Sequence, residues 1–203
     1  MNCATCHDPT DSLLRCNCGT LRCPACYERH ACPGDQLPDW PHQPRAVDQA
    51  LGAVRQGYKA VCVTVPTGGG KRRILVRFSQ EEAGRGGRAI IFTHRKQITK
   101  QTHEEMAGLG IDFGMIASGY PASLGQGTLV ASVQTVTRRM RSKIPDPKTG
   151  LLIANLPSAT LVLIDEAHLR IFDPIVAYYK ARGVPVIGLT ATPVGLKGKY
   201  DNL

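Results

Sequence analysis

From Arg45 onward, five short apolar runs alternate with helical stretches, and this alternation limits the fold more than any other feature. The runs are AVCVTV (60–65), RAIIFTH (88–94), TLVASV (128–133), TLVLIDE (160–166) and PVIGLTAT (185–192). Each has the length of a strand and is too short for a typical helix. They are apolar at nearly every position, as strands covered on both faces must be. Between them lie RAVDQALGAVRQG (45–57), with Ala46, Val47, Ala50, Leu51 and Val54 on one face, and KRRILVRFSQEEA (71–83). RKQITKQTHEEMAGL (95–109), a segment starting at VQTVTRRMRS (133–142) and one near 173–181 complete the helical set. Such alternation predicts an α/β fold, a parallel sheet with helices on both faces. Ligands of such sheets sit at the carboxyl ends of the strands.

A length of 203 residues admits one ordinary domain and a small second one. Residues 33–44, PGDQLPDWPHQP, hold four prolines and mark a boundary. The expected organisation is a head (1–36), a linker (37–44) and a body (45–203). Residues 143–158 read as a surface excursion. The formal charge is +9 and unevenly placed. Residues 1–40 carry Arg15, Arg22 and Arg29 against Asp8, Asp11, Glu28, Asp35 and Asp39, a net −2 that leaves +11 for the rest. A basic body favours a polyanionic partner. No apolar run approaches the roughly 18 residues of a membrane span, and MNCATCHDPTD lacks the layout of a signal peptide. The expectation is a cytoplasmic protein.

Two carboxyl-end segments carry chemistry. PTGGGKR places Pro66, Thr67, Gly68, Gly69 and Gly70 between a buried strand and a helix, with Lys71 next. Glycines let backbone N–H groups close around a phosphate, the helix N-terminus adds positive charge, and the lysine reaches the β- and γ-phosphates. The phosphate-loop pattern G-x-x-x-x-G-K-[ST] is not fully met. Val65 stands at the first glycine and Arg72 at the Ser/Thr whose hydroxyl would bind Mg²⁺. The second segment is VLIDEAH (162–168). Asp165 suits a Mg²⁺ ion and Glu166 the activation of an attacking water. His168 is expected to couple this site to a neighbouring strand through Thr190 or Thr192.

In order and spacing, these segments resemble a superfamily 2 helicase or translocase of the DEAH-box type. They are most similar to the branch of type III restriction motor subunits and related repair helicases. The likeness covers roughly residues 40–203. PTGGGKR resembles motif I, FTHRKQ (92–97) motif Ia, ASVQTV (131–136) a later nucleic-acid-contacting motif, VLIDEAH motif II and GLTATP (188–193) motif III. The resemblance implies a RecA-like domain that binds ATP with Mg²⁺, and that Gln43 reads adenine. It implies that His94, Arg95, Lys96, Gln97, Ser132, Gln134 and Thr135 track a phosphodiester strand, with DNA favoured over RNA. Such contacts hold the backbone rather than the sequence. Arg138, Arg139, Arg141 and Lys143 either extend this surface or form a solvated helix face. Motors of this kind have a second RecA-like domain that supplies arginine fingers, expected downstream. The 203 residues alone are then expected to bind ATP weakly and hydrolyse it poorly.

Seven of the eight cysteines fall in residues 3–32, which in a reducing compartment points to metal. Cys3, Cys6, Cys16, Cys18, Cys23, Cys26, His30 and Cys32 form four pairs, enough for two tetrahedral Zn²⁺ ions. His7 is left over. So short a segment cannot fold on apolar burial alone, and zinc would add about 10–16 kcal/mol per site. Either alternate pairs share an ion or the first four and last four ligands group. The spacing resembles the B-box and RING class of zinc modules, which implies the alternate, cross-braced pairing. Closed sites do not catalyse, so the head is expected to dock a partner, a protein more readily than nucleic acid.

Overall fold

The structure, a computed structural model, describes residues 40–94, 111–120, 124–141 and 156–201. It also describes helical positions Thr102, Glu104, Met106 and Ala107 and the backbone of four short strands. The chain divides into two units, Met1–Pro41 and His42–Leu203. In the first, β1 (Leu14–Arg15) pairs antiparallel with β2 (Leu21–Arg22). All eight candidate zinc ligands lie outside the described residues.

The second unit is built on a six-stranded, wholly parallel sheet. Its strands are β3 (Ala60–Thr64), β4 (Ala89–Thr93), β5 (Gly114–Ile116), β6 (Thr128–Ser132), β9 (Leu161–Asp165) and β10 (Val186–Thr190), in spatial order β3-β10-β9-β4-β6-β5. The five apolar runs are five of these strands, and β4, β6 and β10 are buried at every position.

Successive side chains point to opposite faces. Val61, Ile91, Val130, Leu163 and Ile187 meet α1 (His42–Arg55) and α2 (Lys71–Gly84) on one face, through Val47, Leu51, Ile74 and Phe78. Cys62, Ile90, Phe92, Val162 and Ile164 meet α3 (Val133–Arg141) and α4 (Asp173–Ala181) on the other, through Val136, Ile175 and Tyr179. Both faces are therefore dry, which is why the strand sequences show no polar alternation.

The helix ends follow local chemistry. α2 stops at Gly84, and Gly86 beyond it takes φ 74° as its N–H donates to Ala83 O at 2.9 Å. α4 opens on Asp173-Pro174 and is followed by Gly183 at φ 73°. Proline costs no hydrogen bond in a first turn and glycine tolerates the left-handed turn after the last.

Three elements differ from expectation. α1 begins at His42, inside the expected linker, because Pro44 sits in its first turn where its missing N–H is harmless. β5 is three residues long, too short to show a period. The expected excursion at 143–158 contains an antiparallel pair, β7 (Lys143–Pro145) and β8 (Leu152–Ala154). Of the expected helix at 95–109, the described residues show four helical positions. Among the described residues, no helix is long and apolar enough to cross a membrane.

After β10 the chain turns back along the sheet. Tyr200 lies on Gly188, where a Cβ would fall 2.6 Å from Ala167 Cβ and 2.6 Å from the Tyr200 ring. Only glycine fits at that point of β10. Asp201 closes the return at the start of β3: its carboxylate accepts from Ala60 N (2.9 Å), and its own N–H donates to Ala60 O (2.7 Å).

Candidate nucleotide site

Register decides which residues meet. In β10, Leu189 is level with Asp165 of β9 and Thr190 is level with Thr64 of β3. The glycine loop, the acid pair and the TAT segment therefore open at one edge of the sheet. Val65 N–H donates to Thr190 O at 2.8 Å and Ala167 N–H to Leu189 O at 2.9 Å, so loops on either side of β10 are tied to it.

The glycine loop is close-packed below and open above. Pro66, Thr67 and Gly68 are exposed. Gly69 is buried, its N–H donates to Pro66 O (2.9 Å), and a Cβ on it would lie 2.7 Å from Val65 Cγ1. Gly70 adopts φ 74°, ψ 32° as the residue before α2, and a Cβ there would strike the buried Gln43 side-chain amide. The first helix thus reaches the loop twice, since His42 Nε2 donates to Gly69 O at 2.9 Å. A groove of about 600 Å³ runs beside it, lined by α1 from His42 to Ala53 and by Val61–Pro66.

Lys71 Nζ lies 3.6 Å from Glu166 Oε1, joining the start of α2 to the end of β9. With Glu166 30% exposed, such a pair contributes under about 1 kcal/mol. An incoming polyanion can therefore take the lysine.

Glu166 has φ 58°, a left-handed conformation that costs a side-chain-bearing residue roughly 1–2 kcal/mol. That turn separates two adjacent acids. Asp165 stays at the strand end, where it accepts the Glu166 N–H, while Glu166 faces Lys71.

Burial holds the Asp165 carboxyl above its usual range, the Glu166 charge raises it further, and the cations of Lys71 and Arg72 oppose both.

His168, the expected coupling residue, lies against Thr190, one of its two expected partners. Thr190 Oγ1 donates to Thr192 O (3.1 Å) and accepts from Thr192 N (3.0 Å). Its one proton is therefore used, so the 2.8 Å contact with His168 Nδ1 has the ring donating. Glu166 Oε2 lies 3.5 Å from the same nitrogen. The link runs through the Thr190 hydroxyl and the Thr192 backbone, and Thr192 itself is exposed.

Lys199 was not legible as a site residue. Its ammonium donates to Ala167 O (2.8 Å) and Leu169 O (3.0 Å) and pairs with Asp173 Oδ1 (2.7 Å). Two of its three N–H groups hold the turn that follows Glu166, and the third ties that turn to the start of α4. No local motif announces such a contact across some thirty residues.

At the ends of β4 and β6, Ser132 is buried and its hydroxyl donates to Gln134 Oε1 at 2.7 Å. The Gln134 amide donates to His94 O. Gln134 is exposed and Thr135 partly so. Arg95, Lys96 and Gln97 lie outside the described residues.

Because the Asp165 pKa is raised on folding, its charge costs stability above the folded pKa, and the cost disappears below the unfolded one. Asp165→Asn should raise Tm by a few degrees at neutral pH, with the gain vanishing in acid. Thermal melts across pH check this, and a lower Tm at neutral pH would contradict it.

The model of the family "Type III restriction enzyme, res subunit" matches residues 36–195. A relative from Saccharomyces cerevisiae named as an inferred ATP-dependent helicase, IRC3, is 28% identical over 169 residues, 74% of this chain and 23% of that protein. The chain thus spans about a quarter of that relative. In fold it is similar to a nuclease-deletion mutant of the type ISP restriction-modification enzyme LlaGI, solved with a DNA substrate mimic (TM-score 0.59, 16% identity, 80% of this chain and 19% of that one). It is also similar to the Sulfolobus solfataricus SWI2/SNF2 ATPase core, solved with dsDNA (TM-score 0.54, 15% identity, 79% and 33%). The parallel sheet with helices on both faces is thus a RecA-like helicase domain, and the chain belongs to the family of the type III restriction enzyme res subunit.

Proposed function

We propose that this chain is the first motor domain of an ATP-dependent DNA helicase or translocase of DEAH-box type, working with a second RecA-like domain. The observation that carries the reading is the Lys71–Glu166 pair at 3.6 Å. It sets a phosphate-binding lysine opposite a water-activating acid across one opening.

ATP would place its phosphates over the Gly68–Gly70 amides, within reach of Lys71 and at the positive end of α2. Gln43, packed against Gly70, would read the base. Release of Lys71 to the phosphates frees Glu166 to orient and deprotonate the attacking water. The His168–Thr190 link would pass the state of Glu166 to β10. Magnesium, when bound, neutralises developing phosphate charge. Among the described residues no group of three metal-ligating side chains is assembled. Magnesium usually takes one or two carboxylates with phosphates and water. Asp165 supplies one such donor, and Arg72 stands where a hydroxyl would supply another.

His94, Ser132, Gln134 and Thr135, with Arg95, Lys96 and Gln97, would follow a phosphodiester backbone. DNA is favoured because LlaGI and the SWI2/SNF2 core were solved with DNA ligands. We place the protein in the cytoplasm, with its cysteine-rich head on two zinc ions as a docking module for a protein partner. A second reading, a nucleotide- and nucleic-acid-binding module with impaired catalysis, is favoured by Arg72 alone.

Lys71→Ala should weaken ATP binding on the order of tenfold or more. Glu166→Gln should keep binding and lower DNA-stimulated hydrolysis by about 10²–10⁴-fold. A rate unchanged by Glu166→Gln removes the enzyme reading, and ATP binding without turnover supports the second. Elemental analysis of purified protein should find about two zinc ions per chain, and metal-free protein would refute the head's assignment.

A further inference from the structure

We propose that Arg72 replaces part of the charge that magnesium carries in related sites, so that this chain binds ATP without requiring a divalent cation. The inference rests on reading residues 66–72 as the phosphate loop.

Arg72 follows Lys71 directly and is the second residue of α2. The Lys71–Glu166 distance of 3.6 Å shows that this helix start faces the acid-bearing end of β9. Arg72 is partly buried there and its charge acts on Asp165. In phosphate-loop enzymes a Ser/Thr hydroxyl and a strand-end Asp grip magnesium together. Here the hydroxyl is gone, and the group in its place has no lone pair for a cation. The positive charge that Arg72 brings to bear on Asp165 also disfavours a divalent ion at the one remaining carboxylate.

The charge count favours the same conclusion. With a lysine alone against two acids, a site is negative by one before nucleotide arrives, and a triphosphate needs the metal's two charges. Here Lys71 and Arg72 balance Asp165 and Glu166 without metal. The guanidinium fork matches two phosphate oxygens at once, a geometry that lysine does not offer.

The test is titration of the 203-residue chain with a fluorescent ATP analogue, in Mg²⁺ and in EDTA, with circular dichroism to check folding. The native Kd should differ by less than about threefold between the buffers. Arg72→Thr should bind about tenfold or more weakly in EDTA and recover in Mg²⁺. A native chain that loses about tenfold or more in EDTA overturns the role of Arg72 and leaves the phosphate site standing. An Arg72→Thr chain as indifferent to metal as the native one does the same. A native chain that binds no nucleotide in either buffer overturns the phosphate site itself. The native comparison needs no variant, so it holds even if Arg72→Thr fails to fold.

Discussion

The hydrogen-bonded register of β3, β10 and β9 is the constraint on which the rest depends. It sets Thr190 level with Thr64 and Leu189 level with Asp165. A slip of one residue would turn every side chain of a strand to the opposite face and carry Asp165 away from the glycine loop. The register is held from both sides. Val65 and Ala167 donate to consecutive carbonyls of β10. The returning segment seats Tyr200 on Gly188 and anchors Asp201 at Ala60. Lys199, just before them, caps the carbonyls of the acid-bearing turn. The acids are thus fixed by backbone geometry before any ligand arrives.

That fixed geometry is electrostatically expensive. Asp165 and Glu166 are adjacent in sequence, and burial raises the first carboxyl while its neighbour raises it further. The left-handed turn at Glu166 separates the two groups, and Lys71 and Arg72 supply the opposing charge. A folding domain gains nothing from this arrangement. In the function proposed above, a polyanion that draws Lys71 from Glu166 would leave that acid to act on water.

Much of this was legible in the sequence because it is local. Continuous apolar runs marked buried parallel strands, and β3, β4, β6, β9 and β10 lie on them within a residue or two. The contact of His168 with Thr190 was legible because one follows β9 closely and the other ends the adjacent β10. What could not be read was non-local or too short. The Gly114–Ile116 strand has no room for a period. α1 crosses a proline that looked like a boundary. The Ser132 hydroxyl is committed to Gln134, a contact that motif likeness alone does not show. Lys199 is one of many basic residues, and only the return of the chain along β10 brings it to Ala167 and Leu169.

The central claim is that the glycine loop and the acid pair form one phosphate site. Backbone hydrogen exchange of the 203-residue chain, with and without saturating ATP, reads it most directly. The account predicts ATP-dependent protection confined to residues 67–72, 165–168 and the start of α1 around Gln43, with β10 equally slow in both states. Protection that appears elsewhere, or reaches residues 67–72 without 165–168 or the reverse, would contradict it.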